Sequence, residues 1–190
     1  MTVTRTDAYN LMCEFVHNQG LRNHMLSVEA AMAFYAARLA PQDVETWKIA
    51  GILHDFDWEI HPTKEEHPIL GVPILRERQV PEEIIRAILA HGDETGVERI
   101  SLMEKALYAC DEITGLITAA TLVRPSKSIM ELTAPSVKKK WNNLNFAAGA
   151  NRTEMEKGAQ ELGVELWQHT TNVITAMQSI ASEIGLAGIE

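Results

Sequence analysis

The sequence predicts an all-α fold, a compact single-domain helical bundle spanning residues 1–190. Three observations carry that prediction. Apolar residues recur every three or four positions in segment after segment, helix boundaries are marked by capping residues, prolines and glycines, and no stretch alternates apolar and polar residues as a half-buried strand does. No solenoid-type internal repeat is visible. A chain of 190 residues can bury most of the surface its unfolded form exposes around one core.

Taken in order, Thr6 followed by Asp7 reads as the start of a first helix, with Leu11, Met12, Phe15 and Val16 on its buried face and Gly20 as its stop. From Asn23 to about Leu39, His24, Val28, Ala31 and Tyr35 form one stripe of a helix that ends before Pro41. This puts His24 at the helix start, facing inward. Pro41 opens a third helix through Val44, Trp47 and Ala50-Gly51-Ile52-Leu53 into His54-Asp55, and Gly51 lets another backbone or a ligand come close. Residues 57–66 read as a polar loop. His67-Pro68 precedes a helix carrying Ile69, Leu70, Val72, Ile74 and Leu75, which Pro73 should kink or shorten. Pro81 opens a helix from Glu82 to about Ala90, with His91-Gly92 at its end.

Ser101 and Glu104 make a capping box for a long helix to about Val123, whose stripe of Leu107, Asp111, Ile113-Thr114 and Ile117 brings Asp111 near the inner face; Pro125 ends it. Residues 128–132 read as one helical turn, and Ser136 as the cap of Lys138-Lys139-Lys140-Trp141. Thr153 with Glu156 reads as a second capping box, before a run to Leu162-Gly163 and a last helix through Val173, Ile174, Met177 and Ile180 to a stop at Gly185. On this reading a core of about 20–120 is covered by C-terminal helices over 126–185.

The totals limit the function. With 17 basic and 26 acidic residues the net charge is −9, which repels a polyanionic duplex and calls for a local positive site to meet any anionic substrate. Cys13 and Cys110 lie in helical patterns without a paired framework, which predicts buried free thiols in a reducing compartment. Met1-Thr2-Val3-Thr4-Arg5 has no apolar signal core, and no apolar run is long enough to span a membrane. The expectation is a soluble cytoplasmic protein without a membrane partner.

The chemistry is concentrated at His54-Asp55. Adjacent side chains on a helix point about 100° apart, so the two converge only on a point beside the helix, where a cation would satisfy both. Imidazole nitrogen and carboxylate oxygen suit divalent metals. The residues at helix ends and inward faces that could complete such a site are, in chain order, His24, His67, His91 and Asp111.

In this order, a His, an adjacent His-Asp and a distant Asp, the chain resembles the HD superfamily of metal-dependent phosphohydrolases over roughly residues 20–120. The resemblance implies that His24, His54, Asp55 and Asp111 bind one divalent ion of the Mn, Fe, Co, Ni, Mg or Zn type. It further implies that His67 and His91 bind a second ion in two-metal members, with Asp55 bridging. The implied reaction is hydrolysis of a phosphomonoester or phosphodiester of a nucleotide or related small metabolite by a metal-bound hydroxide. Asp57 and Glu59 could act as general base or orient a water; solvated loop carboxylates are the alternative. Lys139, Lys140 and Arg152 are candidates for binding the substrate phosphate in this acidic chain, against the plainer reading of Lys138-Lys139-Lys140 as a solvated helix face.

Departures from the family pattern narrow the choice. The oxygenase branch with a mixed-valent di-iron centre and the cyclic-dinucleotide phosphodiesterase branch both carry Lys three residues after the metal Asp, where this chain has Trp58. The Gly-Tyr-Pro signature of the latter is absent as well. The remaining resemblance is to small stand-alone hydrolases. A di-iron oxygenase and a catalytically silent ligand-binding helical module are the competing readings.

Overall fold

Three helices, α2 (Gln19–Leu39), α3 (Val44–Leu53) and α6 (Leu102–Leu122), frame the molecule, with α2 packed along α3, α6 and the C-terminal α9 (Leu166–Gln178). The computed structural model describes residues 3–188. Met1, Thr2, Ile189 and Glu190, which the reading of the N-terminus and the 1–190 span includes, lie outside the described residues. Those described form nine α-helices and no strand; one isolated bridge joins Ser128 to Ala187. The all-α prediction holds. None of these helices is long and apolar enough to cross a membrane.

The remaining elements are α1 (Arg5–Phe15), α4 (Val72–Glu77), α5 (Glu82–Ala90), α7 (Ala134–Trp141) and α8 (Arg152–Leu162), with short 3-10 turns at Pro41–Asp43, Ile69–Gly71 and Asp93–Thr95. Buried side chains from every α-helix, among them Met12, Met32, Ile52, Leu75, Ile88, Ile113, Val137, Met155 and Ile174, join one apolar cluster. Each such side chain contributes roughly 1.5–3 kcal/mol by leaving water. Gly51 behaves as predicted: a Cβ there would lie 2.8 Å from the Glu29 Cα, so its lack of a side chain lets α3 rest against the α2 backbone. Glu29 itself is buried and held by Arg5 at 2.6 and 2.9 Å.

Several boundaries differ from the sequence reading. The first cap is Thr4, whose hydroxyl accepts from the Asp7 amide at 3.2 Å while the Asp7 carboxylate accepts from the Thr4 amide at 2.9 Å. The helix ends at Val16 in extended backbone, not at Gly20; Gly20 lies inside α2, which Asn18 caps through the Leu21 amide. His24 therefore sits in the second turn of α2 rather than at its start. Glu59 fixes the α1–α2 connection by accepting from the amides of His17 and Asn18 at 3.0 and 2.7 Å. Pro73 introduces no kink, because α4 begins at Val72 and a first-turn proline leaves no ladder donor missing. The Ser101–Glu104 box is present.

The Thr153–Glu156 box is absent. Asn151 caps α8 by accepting from the amides of Thr153 and Glu154. Ser136 is the third residue of α7, which starts after Thr133, and residues 128–132 form turns whose Ile129 amide donates to the Leu186 carbonyl at 2.8 Å. Of the two free thiols, Cys110 is buried and Cys13 only half-buried.

Candidate metal centre

Six side chains from five places in the chain converge on one floor. His24 comes from α2, His54 from the C-cap of α3 with Asp55 beside it, His67 from the turn before Ile69, His91 from the C-cap of α5, and Asp111 from the middle of α6. They form two groups that share Asp55: His24, His54, Asp55 and Asp111 in one, Asp55, His67 and His91 in the other.

In the first group the His24 Nε2 lies 3.2 Å from the His54 Nε2, 3.0 Å from the Asp111 Oδ1 and 3.6 Å from the Asp55 Oδ2; the His54 Nε2 is 3.5 Å from the Asp111 Oδ1 and 3.4 Å from the Asp55 Oδ2. In the second, the Asp55 Oδ1 lies 3.1 Å from the His67 Nε2 and 3.5 Å from the His91 Nε2, with the two nitrogens 3.2 Å apart. Donors about 2.1 Å from a common ion with bond angles near 90–110° sit about 3.0–3.4 Å from one another. The observed spacings, 3.0–3.6 Å, lie within about 0.2 Å of that range, and the two Asp55 oxygens face different groups.

Every imidazole is oriented from behind. The Nδ1 of His54 donates to the Gly51 carbonyl at 2.8 Å and that of His91 to the Ile88 carbonyl; a carbonyl cannot donate, so these nitrogens carry the protons and leave Nε2 free to ligate. The Nδ1 of His67 donates to the Asp57 Oδ1 at 2.7 Å. The Nδ1 of His24 meets the Thr114 hydroxyl at 3.1 Å, and that hydroxyl's own proton goes to the Asp111 carbonyl at 2.8 Å.

The charges suit a cation. Burial opposes ionisation of Asp55 and Asp111, yet the surrounding imidazoles hold both carboxyls well below the usual range. Burial likewise disfavours charge on His67, but Asp55 and Asp57 outweigh it and raise its pKa to about 9; His54 is raised by Asp55 and Asp111 against the same penalty. Raised His54 and His67 thus offset the charge of the two interior carboxylates, a role a divalent ion would take over when bound. The donor set therefore fits one or two divalent metals.

Above this floor lies a cavity of about 480 Å³. Its walls carry Trp58, Lys64, Asp93, Glu94, Glu112 and Glu154, together with Ala147, Gly149 and Ala150. Burial pushes the Glu112 carboxyl up to about 7, with Asp111 adding to the effect.

The other predicted site residues are placed differently. Asp57 is fully buried behind His67 and does not line the cavity, so its carboxylate serves to orient that imidazole; its Oδ2 has no hydrogen-bond partner among the described residues, and a Cβ on Gly71 would come within 2.5 Å of it. Lys139 and Lys140 are not brought to the cavity; Lys140 lies over the Phe146 ring. Arg152 spends its guanidinium on the carbonyls of Phe146, Ala147 and Ala150, bracing the cavity wall from outside. The sequence reading left Lys64 within the polar loop of residues 57–66 and took Thr114 only as part of a stripe; the position of Thr114 three residues after Asp111, on the same helix face, was the available signal.

The HD domain family model matches residues 21–116, from the first turn of α2 to beyond Asp111. Two proteins named Ribonuclease Y are similar over part of the chain. That of Lawsonia intracellularis is 31% identical over 87 residues, 45% of this chain and 16% of its own; that of Nitratidesulfovibrio vulgaris is 29% identical over 99 residues, 52% and 18%. The matched stretch is thus less than a fifth of the length of these relatives. No solved structure matches the chain.

Proposed function

This chain belongs to the HD domain family, and from that premise we propose that it is a metal-dependent phosphohydrolase acting on a phosphomonoester or phosphodiester of a nucleotide or related small metabolite. The observation that carries the reading is Asp55, whose two oxygens lie within 3.6 Å of ε nitrogens from two different groups. His24, His54, Asp55 and Asp111 would hold one divalent ion, and Asp55, His67 and His91 a second. When bound, such ions make water acidic enough to attack near neutral pH and neutralise charge on a phosphoryl group.

The chain's own residues prepare the reaction. Gly51, Ile88, Asp57 and Thr114 keep each δ nitrogen occupied, so that all four ε nitrogens point at the floor. Trp58, packed edge-on to His67 with ring centroids 4.9 Å apart, walls the second group and limits its contact with water. Ribonuclease Y, by its name, acts on RNA, which supports a phosphodiester among the substrates. The net charge of −9 speaks against a long polyanionic duplex.

The test is metal analysis of the purified protein, followed by a phosphate-release screen over nucleotides, cyclic nucleotides and small phosphate esters with Mn, Co, Ni, Mg and Fe supplied in turn. Metal-dependent release is expected. Oxygen consumption with iron, and no release with any metal, would transfer the chain to the oxygenase reading.

A further inference from the structure

One cation in the cavity has no part in the donor set. Among the described residues lining it, Lys64 is the one cation besides the histidines, while Glu94, Glu112 and Glu154 bring carboxylates to the same walls. Asp93 also lines the cavity, but its charge is met by Arg99 and Lys157, each at 2.9 Å. Lys64 comes from the turn segment that follows His54-Asp55. Glu94 lies in the 3-10 turn after α5, and Glu154 in the first turn of α8.

These pairs are built to exchange. The Lys64 ammonium is 3.3 Å from Glu94 and 3.7 Å from Glu154, and its side chain is 56% exposed. Ion pairs of that length, open to water, contribute little. Glu154 also keeps a second partner, the Asn151 side-chain amide at 2.6 Å, and so loses little when Lys64 leaves. A phosphoryl group entering an acidic protein is better served by this ammonium than by the basic run of α7, which lies outside the cavity.

We propose that Lys64 is the substrate-binding cation of this cavity. In the free protein Glu94 and Glu154 hold it across the walls; on binding, it exchanges them for the phosphoryl oxygens of the substrate. The inference rests on the phosphohydrolase reading and gives that reading a residue outside the ligand set.

The test uses the full chain loaded with Mn and inorganic phosphate as the probe, followed by calorimetry. Lys64→Ala should weaken phosphate binding roughly tenfold while Mn content and melting temperature stay as in the wild type, and Lys64→Arg should restore most of the affinity. Glu94→Gln should tighten binding a fewfold, because the lysine no longer has to leave a carboxylate. A purely structural lysine would lower the melting temperature and leave the phosphate affinity unmoved. Equal affinity for wild type, Lys64→Ala and Glu94→Gln overturns the assignment yet leaves the hydrolase reading standing. Failure of the Mn-loaded wild type to bind phosphate, together with an empty release screen, overturns both.

Discussion

The two donor groups that share Asp55 are built unequally. The first draws on α2, the end of α3 and the middle of α6, helices whose apolar faces lie in the core, and it offers four donors. The second has only three, two of them from the C-cap of α5 and an irregular turn, and it depends on Asp57 to aim His67. Donors fixed by long packed helices need no ordering when an ion arrives, whereas donors on turns do. The first group should therefore hold its ion more tightly, and the second should be the one that exchanges.

Removing the shared carboxylate tests the comparison at its root. Asp55→Ala should empty both groups in metal analysis and lower phosphate release on the order of a thousandfold, since several kcal/mol of charge stabilisation go with the ions. His91→Ala should separate the groups: one ion retained per chain, the other lost, with activity falling less than in Asp55→Ala. Equal loss from both groups would mean that they fill as a unit.

A finer probe is Asp57→Asn, which leaves all six donors in place. Metal affinity of the second group alone should fall about 10–100-fold, the usual cost of removing a carboxylate behind a ligating imidazole. Titration of metal into stripped protein would resolve it as a shift in the weaker binding step only.

The last prediction leaves the metal site untouched and concerns a histidine outside both groups. Fully buried His169 donates from Nε2 to the Ala109 carbonyl at 2.8 Å and accepts from the Tyr35 hydroxyl at 2.6 Å, with no carboxylate near. Burial lowers its pKa to about 4 from an ordinary 6.5. The unfolded chain takes up this proton first, so stability should fall as pH drops from 6.5 towards 4, by about 3 kcal/mol in all, and not change on this account above 6.5. Urea denaturation across that range should show a flatter dependence in His169→Asn than in the wild type.

What was legible in the sequence was local or carried by pattern. Helical spacing, prolines at helix starts and the Ser101–Glu104 box gave the fold class and most elements, and the order of His24, His54-Asp55 and Asp111 pointed to a common centre before any distance was known. Competition between neighbouring caps was harder to read: Thr153 and Asn151 are both capping residues, the Thr153–Glu156 spacing imitates a capping box, and the structure uses Asn151, the stronger cap of the two. The burial of Asp57 was not legible; it needs the gap left by Gly71 fourteen residues on. Lys64 gains meaning only from Glu94 and Glu154, which tertiary folding brings to it from far along the chain.

The brace supplied by Arg152 has a consequence for how this cavity can change. The floor is carried by helices, but Ala147, Gly149 and Ala150 stand on a stretch of turns that packs against the core and is braced by one guanidinium gripping three carbonyls. Backbone carbonyls are common to all residues, so the grip does not depend on which side chains occupy 146, 147 and 150. Side chains in that wall can change while the donor set below stays as it is, which makes this stretch a place where the shape of the cavity can be altered without touching its floor.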